Sequence, residues 1–259
     1  MKKLTQIITI SASLLVLIAL QGCEGSKDET LTHIRGSSAS ISKATLDHWM
    51  RAMAGGDFRS SIGTKGPPGL VSEPANYAGC AAAAKKIVPR TFTGKLKLTD
   101  SQILHKCQQL YNSIKAQALS FLISVHWTVL EGAEEGLKVS DAQLRREFAR
   151  YRKQPYPTEA DLHKFLEERQ WTLSDVLYQL KRNILVTAIL PRFEAKVKKA
   201  GGGEKLYTKL ALERYKALIA KTRCKRGFVV PNCSEYNGPP TVSPSPNAIF
   251  EQFVQARDS

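Results

Sequence analysis

The sequence predicts an all-α fold, and three observations carry that prediction. Apolar residues recur at three- and four-residue intervals along several stretches. A Ser or Thr, followed three residues later by Gln or Asp, stands before four of those stretches, at Thr99, Ser140, Thr158 and Thr172. Period-2 alternation is almost absent, and Gly227-Phe228-Val229-Val230-Pro231 is the single convincing extended stretch.

Taken in order, Ser42 caps a first helix that runs to about Met53 and places Leu46, Trp49, Met50 and Met53 on one side; Gly55 and Gly56 are expected to end it. Residues 57 to 98 are rich in Gly, Pro, Ser and Lys around Gly66-Pro67-Pro68-Gly69, which predicts an irregular excursion with one short helix from Ala78 to Ile87. Thr99 and Gln102 form a capping box for a long helix reaching Glu135. Two apolar stripes, through Ile103, Cys107, Leu110, Ile114 and Phe121 and through Leu104, Tyr111, Ala118, Leu122, Val125 and Val129, give that helix a wide buried face, and Gly136 stops it.

The caps at Ser140, Thr158 and Thr172 open three further helices. The first carries Leu144, Phe148 and Tyr151, the second Leu162, Phe165 and Leu166, and the third Leu173, Val176, Leu177, Leu180, Ile184 and Ala188. Pro155 and Pro157 separate the first two, and Pro191 is expected to kink or end the third. Gly201-Gly202-Gly203 is a break before a last helix from Glu204 to Lys221 or Thr222. The run from 236 to 259, with Pro239, Pro240, Pro244 and Pro246, is a loose tail in which Ile249, Phe250 and Phe253 have the spacing of a short docking helix.

The N-terminus carries a different kind of information. Met1-Lys2-Lys3 precedes a mostly apolar run from Leu4 to Leu20, the pattern of an export signal. The run ends at Leu20-Gln21-Gly22-Cys23, which resembles the lipobox of bacterial lipoprotein precursors. That resemblance implies cleavage after residue 22, a diacylglyceryl group on Cys23, and a lipid-anchored location on the extracytoplasmic face of the cell envelope. Two acyl chains anchor stably where one is marginal. Residues 23 to 32 then read as a polar tether below a domain spanning 33 to 235.

The formal net charge of +15 falls to +13 once Lys2 and Lys3 leave with the signal, which favours acidic partners such as anionic lipids, acidic envelope polymers or acidic clients. Export argues against nucleic acid, and no nucleic-acid motif is present. Beside Cys23, Cys80, Cys107, Cys224 and Cys233 make an even set in an oxidising compartment. Of the three possible pairings, Cys80–Cys107 with Cys224–Cys233 is favoured, because each joins segments flanking one loop. A zinc site using His105 and Cys107 is the competing reading, and it lacks any CxxC spacing.

Several segments together resemble the SurA-like and PrsA-like foldase and chaperone family, specifically its N-terminal helical domain. They are Ile41-Ser42-Lys43-Ala44-Thr45-Leu46-Asp47-His48-Trp49, the stretch from Leu119 to Trp127 running on to Glu134-Glu135-Gly136-Leu137, and Val139-Ser140-Asp141. Tyr156-Pro157-Thr158-Glu159 and Trp171-Thr172-Leu173-Ser174-Asp175-Val176-Leu177 continue the likeness, which covers about residues 33 to 200 and again 204 to 233. It implies an irregular multi-helix chaperone domain with a returning C-terminal helix packed onto the first ones. Relatives insert a parvulin-type prolyl isomerase domain before that helix. Here only Lys196 to Gly203 lies between, too short for a catalytic domain of about 100 residues.

The expectation is therefore a holdase for unfolded or partly folded exported polypeptides, with no catalytic residues, cofactor or metal. Trp49, Phe121, Trp127, Phe148, Trp171 and Tyr178 are the candidate client contacts, although aromatics at helical spacing more often belong to a core. The alternatives are residual peptidyl-prolyl isomerase activity and a basic envelope structural or assembly partner. Glu134-Glu135 diverge by about 100° on a helix, which argues against shared acid/base chemistry. His33, His48, His105, His126 and His163 show no ligand spacing, and the clusters at Lys85-Lys86, Arg145-Arg146, Lys196-Lys198-Lys199 and Lys225-Arg226 read as solvated faces.

Overall fold

The computed structural model describes residues 28–37, 40–62, 76–87 and 98–238. The expected signal peptide, Cys23, the Gly66–Gly69 segment and the tail beyond Gly238 lie outside the described residues. Seven helices are described: α1 (Lys43–Ile62), α2 (Ala78–Ile87), α3 (Asp100–Glu134), α4 (Asp141–Tyr151), α5 (Glu159–Arg169), α6 (Leu173–Lys199) and α7 (Glu204–Lys221). Among the described residues no helix is long and apolar enough to cross a membrane.

The fold is mainly helical, as expected, and carries a small sheet that was not. Strands β1 (Thr30–Ile34), β2 (Ser40–Ser42) and β3 (Thr222–Cys224) form an antiparallel sheet in the order β2-β1-β3. β1 occupies the last residues of the expected tether, and it buries Leu31, Thr32 and Ile34. Three- to five-residue strands are too short to show period-2 alternation, which is why the sequence concealed them. The extended stretch at 227–231 is not a strand. It forms a loop whose Phe228 and Val230 turn inward onto the core.

The 35-residue α3 is the spine, about 50 Å long at 1.5 Å per residue. Its capping box forms as expected, with the Thr99 hydroxyl accepting from Gln102 N while the Gln102 side chain accepts from Thr99 N. Ile103, Cys107, Leu110, Ile114, Leu119, Leu122 and Ile123 are all buried against the sheet, α1 and α2. The helix ends where Gly136 takes φ +68° and Leu137 N donates back to Gly132 O at 2.7 Å.

One helix end differs from expectation, and at Pro191 the continuing helix is formed rather than the ending one. α1 continues through Gly55 and Gly56, each costing about 1 kcal/mol relative to Ala in a helix. Burial of Leu46, Trp49, Met50, Ala52 and Ala54 just before them offsets that cost. α6 continues through Pro191. Pro191 and Thr187 both face solvent, so the carbonyl that loses its helical partner remains accessible to water.

The bond between Cys80 and Cys107 ties α2 to α3, and Cys224–Cys233 closes the loop after β3. α7 returns onto α3 and α6 rather than onto the first helix. Trp127 donates from Nε1 to Thr222 Oγ1 at 2.8 Å, Tyr215 lies edge-on to the Trp127 ring, and Lys221 pairs with Glu134 at 3.0 Å. It is β3 that reaches the N-terminal segment, by pairing with β1.

Candidate functional site

α4, α5 and the first half of α6 form an arm against one side of this core. Thr158 and Thr172 start α5 and α6 with complete capping boxes to Asp161 and Asp175. Gln170, in the left-handed region at φ 55°, turns the chain sharply between them, so that Trp171 points back at α1. There its Nε1 donates to the Ala52 carbonyl at 3.1 Å.

Asp175 is a polar knot in this junction. Its Oδ2 accepts from Thr172 N at 2.7 Å and from Thr172 Oγ1 at 2.8 Å, while Oδ1 lies 2.7 Å from His48 Nε2 on α1. A buried carboxylate is tolerated here because each oxygen has a partner.

Around the knot the aromatic side chains form a continuous seam from the core to the surface. The Trp49 ring lies 4.8 Å from Phe121, 5.6 Å from Tyr178 and 6.3 Å from Trp171, all within the range of favourable aromatic pairs. Trp171 continues to Phe165 at 5.8 Å, and Phe165 to Tyr156 at 4.3 Å. The Arg169 guanidinium covers the outer faces of Phe165 and Trp171, 5.2 and 5.7 Å from their centroids. Burial pushes the Tyr178 phenol up to about 12 and raises that of Tyr156, to which Tyr151 adds.

Four of the six aromatics proposed from sequence therefore meet in one seam, but they do not share one role. Trp49 is 4 % exposed and forms the inner, core end. Phe121 and Tyr178 are half-buried behind it, and Trp171 reaches the outside. Trp127, 5 % exposed, lies elsewhere, between α3 and α7. Trp49 and Trp127 are thus corrected from client contacts to core residues: helical spacing places a ring on a face without showing that another element covers it. Phe148 is half-buried beside an open hollow it shares with Ala149, Arg152, Lys153 and Pro157.

Sequence reasoning did not single out Tyr156, Phe165, Gln179 or Asn183 as site residues. At the outer end of the seam lies a slot of ≈ 80 Å³, walled by Tyr151, Phe165, Trp171, Val176 and Leu180, with the Gln179 and Asn183 side chains beside them. Two carboxamides four residues apart, among the apolar positions of α6, were the available signal. It becomes informative only once that face is known to remain uncovered.

A second hollow, of ≈ 280 Å³, lies between α3, α6 and α7 and includes Glu131, Glu134, Glu135, Phe193, Lys196 and Arg214. Its charges satisfy one another. Glu135 pairs with Lys196 and Arg192, Glu131 with Arg214, and Glu134 turns away to Lys221. The Lys196 ammonium hydrogen-bonded to Glu135 holds that carboxyl below its ordinary range. Cys107 is spent in a disulfide and has no thiolate to offer a metal with His105. Among the described residues no three His, Cys, Asp or Glu side chains gather as a metal set. His126, half-buried on α3, has its basicity lowered by burial.

Comparison of the chain with protein-family models, with curated proteins and with solved structures yields no match.

Proposed function

We propose that this chain is a lipid-anchored, extracytoplasmic holdase that binds unfolded or partly folded exported polypeptides on the aromatic side of its α4–α5–α6 arm, without chemistry of its own. One observation carries the reading. α4 fully buries no side chain and α5 only Leu162, although these helices carry Leu144, Phe148, Tyr151, Phe165 and Leu166. An arm that leaves this much large apolar surface half open has binding energy to offer another chain, at about 25 cal/mol per Å² covered. Apolar burial makes few directional demands and so suits unrelated clients.

The resemblance to the SurA-type N-terminal domain points the same way. Where its relatives insert an isomerase domain, α6 and α7 are joined here by residues 200–203 alone. Acylation at Cys23 would leave five residues before Asp28, a reach of at most about 18 Å, and would keep the arm close to a membrane crossed by emerging clients.

The test is light scattering of an aggregating, unfolded client with and without the chain, at low and high salt, beside a prolyl-peptide isomerisation assay. Suppressed aggregation that survives salt, without isomerisation, is the expected result. Suppression lost as salt rises would favour a basic docking partner instead. No suppression at any salt would refute the holdase.

A further inference from the structure

Resting on the reading of the arm as a client-holding surface, the geometry points to the class of segment it holds: an extended, acid-flanked stretch whose branched aliphatic side chain fills the slot at the end of the aromatic seam. Gln179 and Asn183 hydrogen-bond the backbone of that stretch.

The size of the slot selects the side chain. At ≈ 80 Å³ it is about half the ~150 Å³ of an apolar cavity that accepts benzene, which favours a Val, Leu or Ile side chain over a ring. Its walls, Phe165, Trp171, Val176 and Leu180, are apolar, and such a group gains from burial there without needing a polar partner.

The carboxamides select the backbone. Gln179 and Asn183 stand one turn apart on the same face of α6, about 6 Å along the axis. An extended chain presents its N–H and C=O groups to one side every second residue, about 6.6 Å apart. Each carboxamide offers one acceptor and two donors, so the pair can serve two successive backbone sites of a strand laid along the helix. Gln179 has no hydrogen-bond partner among the described residues. Asn183 has only a long contact, 3.5 Å, from the neighbouring Arg182. Two side chains that could pair locally are thus left available beside an apolar slot.

The charges select the flanks. Arg169 lies over the rings of Phe165 and Trp171, two walls of the slot, and Arg182 contacts Asn183, which also lines it. Acidic residues flanking the inserted aliphatic would find these guanidinium groups beside the slot.

The experiment titrates a capped peptide, Asp-Ser-Leu-Ser-Asp, into the full-length, detergent-solubilised protein and follows the fluorescence of the half-exposed Trp171. Replacing the central Leu by Phe should weaken binding at least tenfold. An N-methyl scan should find two sensitive amides, two residues apart, each losing about two- to tenfold. Gln179→Leu or Asn183→Leu should cause a similar loss and remove the sensitivity at one of those amides, with the thermal midpoint unchanged. A peptide that binds equally well with Phe, or is indifferent to N-methylation, overturns the proposal. If that happens while aggregation is still suppressed, the holdase stands and the slot is not its reading head; if suppression also fails, both readings fall.

Discussion

Replacing Thr222 by Val tests the link that returns the C-terminal segment to the spine. Thr222 is fully buried, and its hydroxyl has two duties: Oγ1 accepts from Trp127 Nε1 at 2.8 Å and donates to the Leu218 carbonyl at 2.8 Å. Val is close in shape and is a good strand residue, so neither packing nor β3 suffers directly. What the substitution does is strand the indole N–H, whose bond is buried on a Trp that is 5 % exposed. An orphaned buried donor costs about 1–3 kcal/mol, whereas a hydrogen bond exchanged for water costs only about 0.5–1.5 kcal/mol. The upper part of that range is expected, because the Leu218 carbonyl loses a partner too. Urea denaturation with both disulfides intact should show a lower midpoint with an unchanged slope. In a Trp127→Phe background no N–H remains to be stranded, so the cost of Thr222→Val should fall by about 1 kcal/mol. A loss below about 0.5 kcal/mol, or additivity within that margin, would refute the claim that this hydrogen bond holds the return.

Breaking Cys80–Cys107, which spans 27 residues, should cost about 3.5 kcal/mol by loop-closure entropy, against about 2.6 kcal/mol for Cys224–Cys233, which spans 9. Paired Cys→Ala variants compared by thermal melting would expose any reversal of that order. Thr172→Ala should cost about 1 kcal/mol by removing the cap of α6, and it should loosen α4 and α5 more than the spine, which amide hydrogen exchange can separate. Ultraviolet titration should find the Tyr178 phenol still largely neutral at pH 11, since burial raises it to about 12. Between pH 10 and 12 the unfolded state binds fewer protons than the native one, so the contribution of this group to stability falls as pH rises through that window. Tyr178→Phe should flatten the decline.

The helices were legible because each announces itself locally. Hydroxyl caps at Thr99, Ser140, Thr158 and Thr172 all accept from the residue three positions on, and three of the four close as full boxes. Of three possible cysteine pairings, the one favoured on loop closure is the one formed. What was missed depends on partners distant in sequence. β1 is a strand because Thr222–Cys224 comes back to pair with it across some 190 residues, and nothing in Thr30–Ile34 alone states that. The local chemistry of Pro191 leaves a kink and an end both open, because the tolerance of α6 for it depends on which face meets solvent. The site divides in the same way. Six aromatics could be named from helical spacing, but the difference between Trp49, sealed in, and Trp171, open on one side, arises from how α5 and α6 meet α1.

That meeting is made by directed bonds as well as by packing, and the distinction matters for a binding surface. Apolar contacts alone would let the arm slide until its rings were covered, since burial has no preferred geometry. Here His48 and Thr172 converge on Asp175 while Trp171 Nε1 is held by the Ala52 carbonyl, so the start of α6 has one position on α1. With α6 fixed there, α4 packs against it and α5 against α1 without covering Trp171, and the seam keeps its outer end open. Asp175→Ala should therefore do more than remove a cap. It should let the slot beside Gln179 collapse, so that aggregation suppression falls further than the loss of stability alone would explain. Equal falls in the two would show the knot to be a stability element only.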